Sequence, residues 1–176
     1  MRYRRAHAAG GTWFFTVNLA DRSNQFLTEY IGLLRETIRA VRINHPFEIL
    51  AAVVLPEHLH CIWRLPNGDA DYPIRWNLIK GRFSRDLTIN EQIRDSRLTK
   101  RERGIWQRRY WEHQIRDDED LQRHVDYIHH NPVKHGRTSI ASAWPYSSIH
   151  RYIRNGMLTK DWATGEIANS NQFGER

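Results

Sequence analysis

Residues 47–65, FEILAAVVLPEHLHCIWRL, constrain the fold of this chain more than any other stretch. The first nine form a nearly continuous apolar run of strand length, which Pro56-Glu57 breaks. The residues after the break alternate. His58, His60, Ile62 and Arg64 fall on one face, and Leu59, Cys61, Trp63 and Leu65 on the other. Two such runs across a short break read as a hairpin.

The flanking segments complete a pattern around that hairpin. Residues 12–19, TWFFTVNL, are β-branched and aromatic and predict a strand. Residues 25–44 carry Phe26, Tyr30, Leu33, Leu34, Thr37, Ile38 and Val41 at helical spacing, and Pro46 follows. Residues 66–73 (PNGDADYP) are turn-like. Residues 74–88 predict a second helix, with Trp76, Ile79 and Phe83 inward and Arg75, Lys80, Arg82 and Arg85 outside. Residues 89–104 read as a polar loop, and 105–116 as an irregular strand. Asp117-Asp118-Glu119-Asp120 suits a helix start, because carboxylates complement the positive end of the helix dipole. That helix runs through Leu121, His124, Val125 and Ile128 and is expected to end near Asn131, since the residue before Pro132 disfavours helical geometry. Residues 133–176 hold a WPYSS segment and a polar tail expected to be partly disordered.

The order strand, helix, strand, strand, helix, strand, helix fits a split β-α-β arrangement. The expected fold is a single α+β domain: one mainly antiparallel sheet with helices on one face. A basic arm (1–11) precedes a domain over 12–152, and a polar tail (153–176) follows it.

Charge narrows the partners. Lys and Arg number 27 against 20 Asp and Glu, a formal +7 with pI near 9.9, which favours polyanions. Several arginines adjoin aromatics, as in Arg75-Trp76 and Trp106-Gln107-Arg108-Arg109-Tyr110. Arginine forks onto phosphates and stacks on bases, so this composition tilts toward nucleic acid. A merely soluble basic surface is the alternative. The single cysteine, Cys61, excludes an internal disulfide, and a reducing cytoplasmic location is the default. No apolar stretch approaches a membrane span, and no apolar segment of a signal peptide follows the basic N-terminus.

Two motifs carry chemistry. His58 and His60 stand two apart on a strand, side by side, and two imidazoles can share a metal ion. Unrelated histidines near a turn would look the same. Tyr127 and Asn131 stand four apart on a helix and share a face. Asn131 offers a carbonyl oxygen to a hard cation, and Tyr127 offers a phenol that becomes a nucleophile once a base or positive charge favours phenolate. A packing tyrosine and a helix C-cap are the alternative roles. His124 and His130, three residues to either side of Tyr127, read as surface or DNA-contacting histidines.

Together these segments resemble the single-tyrosine HUH transposases, named for a His-hydrophobic-His motif, here His58-Leu59-His60. Within them the sequence is most similar to the REP-associated tyrosine transposases of bacteria. The resemblance covers most of residues 1–155 and is carried by GGTWFFTVNL, VVLPEHLHCIWRLP, ERGIWQRRYWEHQIRDDEDL, HVDYIHHNPVKHG and WPYSSIHRY.

The resemblance implies a ferredoxin-like, RRM-like HUH fold, with His58, His60 and Asn131 as ligands of Mg²⁺ or Mn²⁺ and Tyr127 as the nucleophile. It implies cleavage and rejoining of single-stranded DNA through a 5′-phosphotyrosine at REP-type hairpins with an adjacent tetranucleotide. It also implies a cytoplasmic, nucleoid-associated bacterial protein, a monomer with a dimer left open. Glu57 stands where the family usually has Asn or Asp. The expected DNA contacts are Arg4, Arg5, Lys80, Arg82, Arg85, Arg108 and Arg109. A non-catalytic hairpin-binding module of the same fold is the rival reading. A two-histidine phosphoesterase would need two His-x-Ser/Thr motifs, and neither is present.

Overall fold

A computed structural model describes residues 10–88 and 103–163. Four strands form one antiparallel sheet in the order β2-β3-β1-β4. They are β1 (Gly11–Asn18), β2 (Glu48–Val54), β3 (His58–Leu65) and β4 (Trp111–Gln114). β1 lies at the centre, paired with β3 on one side and β4 on the other. The hairpin expected from 47–65 is present as β2 and β3. A register shift between Ile49 and Ala51 inserts one extra residue into β2. Ala51 and Val53 then share a buried cluster with Ile62 and Phe14, while Ala52 and Val54 pack on the opposite cluster. Both faces of β2 are covered, which is why its sequence is apolar without alternation.

The expected single α+β domain with an antiparallel sheet is what forms, but the helices do not all sit on one face. Helices α1 (Phe26–Glu29), α2 (Ile31–Asn44) and α3 (Tyr72–Asp86) cover the face bearing Trp13, Phe15, Leu59, Cys61 and Trp63. Its centre is aromatic: Trp63 stacks on Trp76 at 4.3 Å between ring centroids and meets Phe47 at 4.1 Å. Helix α4 (Asp118–Lys134) lies on the other face, with Val125, Tyr127 and Ile128 against Phe14, Val53 and Ile62. Phe14 and Ile62 point away from α2 and α3, so they need this second cover.

Four further differences have local causes. The helix expected over 25–44 is interrupted at Tyr30, whose φ of −109° and ψ of 35° leave helical geometry. Arg75, expected outside, is buried, because the adjacent turn supplies its acceptors. It forms a two-pronged pair with Asp69 at 2.9 and 2.5 Å and donates to the carbonyls of His45 and Pro46. Of the strand expected over 105–116, only 111–114 is regular. Ahead of it, Trp106 makes a lone bridge to Leu19, and the Gln107 carbonyl accepts from Lys80 Nζ at 2.6 Å. Finally, α4 continues through Pro132 to Lys134. Proline costs that helix one N–H near its end, where the His135 N–H still reaches the Asn131 carbonyl at 3.0 Å. Gly136 then closes it at φ 63°.

After α4 the chain returns to the domain at a few anchoring residues. Ala141 and Ile149 are buried, the second in helix α5 (Ile149–Arg154), and Trp144 Nε1 donates to the Val54 carbonyl at 2.9 Å. Arm residues 1–9, loop residues 89–102 and tail residues 164–176 lie outside the described residues, and Arg4 and Arg5 with them.

Candidate active site

Strand register builds the centre of the site. β1 and β3 place Asn18 opposite His58 and Thr16 opposite His60. Both histidines are fully buried on the face covered by α4, as their alternation on the strand predicts. Thr16 Oγ1 lies 2.9 Å from His60 Nδ1, and Glu57 Oε1 lies 3.0 Å from His58 Nδ1. In the tautomer that donates Nδ1–H to these oxygens, Nε2 of each ring carries the lone pair that binds a metal. The ring centroids are 4.9 Å apart.

Helix α4 closes the site from above. Tyr127 packs edge-on against His60 at 5.1 Å, and His135 packs edge-on against His58 at 5.1 Å. Tyr127, Asn131 and His135 follow one another at four-residue spacing on one helix face, so the buried Asn131 falls between the two contacts. His58, His60 and Asn131 are thus all buried on the side of the sheet that α4 covers. That donor set fits a divalent cation that keeps positions for water or phosphate.

Charges stand beside these residues. Glu57 is nearly buried and also faces Arg137 at 3.4 Å and Arg22 at 3.6 Å. Burial pushes its carboxyl up. The hydrogen bond and charge of His58 and the Arg137 guanidinium outweigh that, and its pKa falls to about 2. Lys134 Nζ stands 5.0 Å from the centre of the Tyr127 ring. His135 and Lys134 were missed in the sequence, because Pro132 signals a helix end before either.

A second group adjoins the first through Phe14, whose ring contacts His60 at 5.6 Å and His124 at 4.7 Å. Donor atoms of His113, Asp120 and His124 all lie within 4.8 Å of one another, close enough to share a divalent ion. The buried Asp120 already accepts from His113 Nε2 at 2.8 Å, the Arg116 N–H at 3.1 Å and Arg123 at 3.3 Å. His124, read from the sequence as a surface or DNA-contacting residue, is buried here with Nδ1 2.7 Å from the Asp120 carbonyl. The i, i+4 spacing of Asp120 and His124 was a visible signal for this group. Its His113 partner arrives only through the sheet.

The expected DNA contacts separate. Lys80, Arg85 and Arg108 line one cavity between α3 and residues 103–108. Arg85 is exposed and paired with Asp86 at 2.8 Å. Arg109 is exposed and Arg82 half-buried, and neither lines that cavity.

No protein-family model matches the sequence. A REP-associated tyrosine transposase of Escherichia coli K12 is 47% identical over 95% of this chain and 93% of its own length. A Haemophilus influenzae relative assigned to the same group is 45% identical over 91% of this chain and 92% of its own. The chain belongs to the REP-associated tyrosine transposases. A solved structure of a REP-associated tyrosine transposase bound to a REP hairpin superposes with a TM-score of 0.85, at 45% identity. It covers 100% of this chain and 98% of the other. The family assignment and the antiparallel α+β fold expected from the sequence both hold. Among the described residues no helix is long and apolar enough to cross a membrane.

Proposed function

We propose that this REP-associated tyrosine transposase cuts and rejoins single-stranded DNA at hairpin-forming sequences, with Tyr127 as nucleophile and a divalent ion held by His58, His60 and Asn131. The observation that carries this reading is the packing of Tyr127 against His60 at 5.1 Å, with Asn131 one turn further along the same helix face. A phenol, two imidazoles and an amide from distant parts of the chain lie buried on the same side of the sheet. Packing alone does not call for that combination.

The donor set favours Mn²⁺ or Mg²⁺, with Mn²⁺ the better match to imidazole. His58, His60 and Asn131 would hold that ion, and it would supply polarisation of the scissile phosphate and offset the charge on its oxygens. The chain's own residues do the rest. The Tyr127 phenol gives up its proton to solvent water, with the Lys134 ammonium beside the ring to favour the anion. Its oxygen bonds to phosphorus, the bond to the 3′ oxygen breaks, and that oxygen takes up a proton as a free 3′-hydroxyl. The 5′ end stays linked to Tyr127 through a phosphodiester, so a 3′-hydroxyl can attack it and join strands without ATP. Glu57 and Thr16 hold the imidazoles in the ligating tautomer.

The exposed Arg108 and Arg109 suit the DNA backbone, Arg4 and Arg5 remain proposed contacts from their charge alone, and the cytoplasm of a bacterial cell is the expected setting. The test is strand transfer. The protein is mixed with Mn²⁺ and a hairpin oligonucleotide labelled at its 3′ end, and a second strand with a free 3′-hydroxyl is then added. A protein-linked label that moves onto the second strand supports the reading. Label released as a free 5′-phosphate, turnover after turnover, would make the protein a hydrolase. Binding without any cleavage would leave a hairpin-binding module.

A further inference from the structure

Tyr127 and His135 lie on one face of α4 with Asn131 between them. Tyr127 packs against His60 and His135 against His58, each at 5.1 Å between ring centroids. We propose that His135 is the general acid that protonates the 3′ oxygen as it leaves phosphorus. This rests on the reading of the chain as a transesterase with Tyr127 as nucleophile, in which the departing oxygen needs a proton donor.

Position is the first argument. In phosphoryl displacement the entering and leaving oxygens lie roughly in line, on opposite sides of phosphorus. Tyr127 stands at one end of the buried histidine pair. His135 stands at the other end, roughly 12 Å further along the helix axis. A phosphate seated at the pair with its entering side toward Tyr127 turns its leaving side toward His135. The backbone holds His135 in that place. Its N–H donates to the Asn131 carbonyl at 3.0 Å, and the N–H groups of Gly136 and Arg137 donate to the Val133 and Pro132 carbonyls at 2.9 Å.

Chemistry is the second argument. Histidine is the side chain that most often serves as a general acid, and a positioned one contributes about 10²- to 10⁴-fold in rate. His135 is half-buried and so within reach of a substrate oxygen, while His58 and His60 are wholly buried and turn Nδ1 to Glu57 and Thr16. As the Tyr127 oxygen bonds to phosphorus, the bond from phosphorus to the 3′ oxygen breaks, and that oxygen takes the proton of the His135 imidazolium. The neutral imidazole left behind is the base that joining needs. It takes the proton of an incoming 3′-hydroxyl as that oxygen attacks the phosphotyrosine, which restores the imidazolium. The Tyr127 oxygen then leaves phosphorus and regains its proton from water.

A sulfur atom at the leaving position separates proton donation from every other role, because a thiolate departs near neutral pH without a proton. The full-length protein with Mn²⁺ is given the hairpin oligonucleotide that it cleaves, and the same oligonucleotide with sulfur in place of the 3′ oxygen at the cut. His135→Gln is expected to form the adduct about 100-fold or more slowly on the oxygen substrate and within about threefold of wild type on the sulfur substrate. Its affinity for Mn²⁺, read by calorimetry, is expected to equal that of wild type. His135→Asn is a second variant should the glutamine protein melt early, since asparagine suits the end of a helix. Equal slowing on both substrates, or slowing on neither, overturns the assignment and leaves the transesterase reading intact. Weakened Mn²⁺ affinity in both variants would make His135 a ligand and also overturns it. Wild type that forms no adduct with either substrate overturns both.

Discussion

Thr16 Oγ1 and His60 Nδ1 stand 2.9 Å apart across the central strand pair, set opposite one another by sheet register. The contact ties imidazole orientation to the least deformable part of the fold. Thr16→Val removes the hydroxyl and keeps the branched shape, so the sheet forms but the ring loses its tautomer lock. Mn²⁺ affinity, measured by calorimetry, is expected to fall about 10- to 100-fold. Unchanged affinity would mean that His60 does not ligate through Nε2.

The histidines themselves make a sharper prediction. His58→Ala and His60→Ala are each expected to lower adduct formation by more than about 100-fold with the circular dichroism spectrum retained, and chelation of the wild type has the same effect until Mn²⁺ is restored. Cleavage at the normal rate by either variant, or in excess chelator, removes the metal from the mechanism.

Asp120 anchors the helix that carries Tyr127. Burial pushes its carboxyl up, but hydrogen bonds from His113 and the Arg116 N–H, with the charges of His113 and His124, hold it well below the usual carboxylate range. A depressed folded pKa stabilises the protein above the unfolded value near 3.9 and loses that contribution as pH falls toward the folded one. Asp120→Asn is expected to cost about 2–3 kcal/mol at pH 7, with the gap to wild type narrowing below about pH 4. Urea denaturation at pH 7 and pH 3 measures it. A gap that does not shrink on acidification would show that the charge is not what anchors the helix.

Much of this site was legible in the sequence, and the reasons are local. Strand alternation alone puts His58 and His60 on one face, and helical spacing alone aligns Tyr127 with Asn131. The spacing does not say that the two faces meet. Phe14 and Ile62 show why they do: their side of the sheet is apolar and must be covered, and α4 is the helix that covers it. His135 and Lys134 were hidden by Pro132, because a proline this near a helix end removes one bond without ending the helix. Arg75 misled through its charge. Only the fold reveals that Asp69 and two carbonyls await it inside. His113 joins Asp120 through strand pairing of β4, which no local pattern announces.

Electrostatics gives a prediction separable from catalysis. Arg108 is exposed on the rim of the α3 cavity. If it contacts a phosphate, Arg108→Ala weakens hairpin binding and reduces the slope of log affinity against log salt by about one. An unaltered slope with weaker binding would point to a base contact instead.

The central claim is that Tyr127 forms the covalent bond. The most direct measurement is a denaturant-resistant adduct between the protein and a labelled hairpin oligonucleotide in Mn²⁺, with wild type beside Tyr127→Phe and the linked peptide identified by mass spectrometry. The account predicts an adduct on the peptide containing Tyr127 in wild type, and none in Tyr127→Phe, which still binds the hairpin with affinity close to wild type. An adduct that persists in Tyr127→Phe, or that maps to another residue, would contradict it.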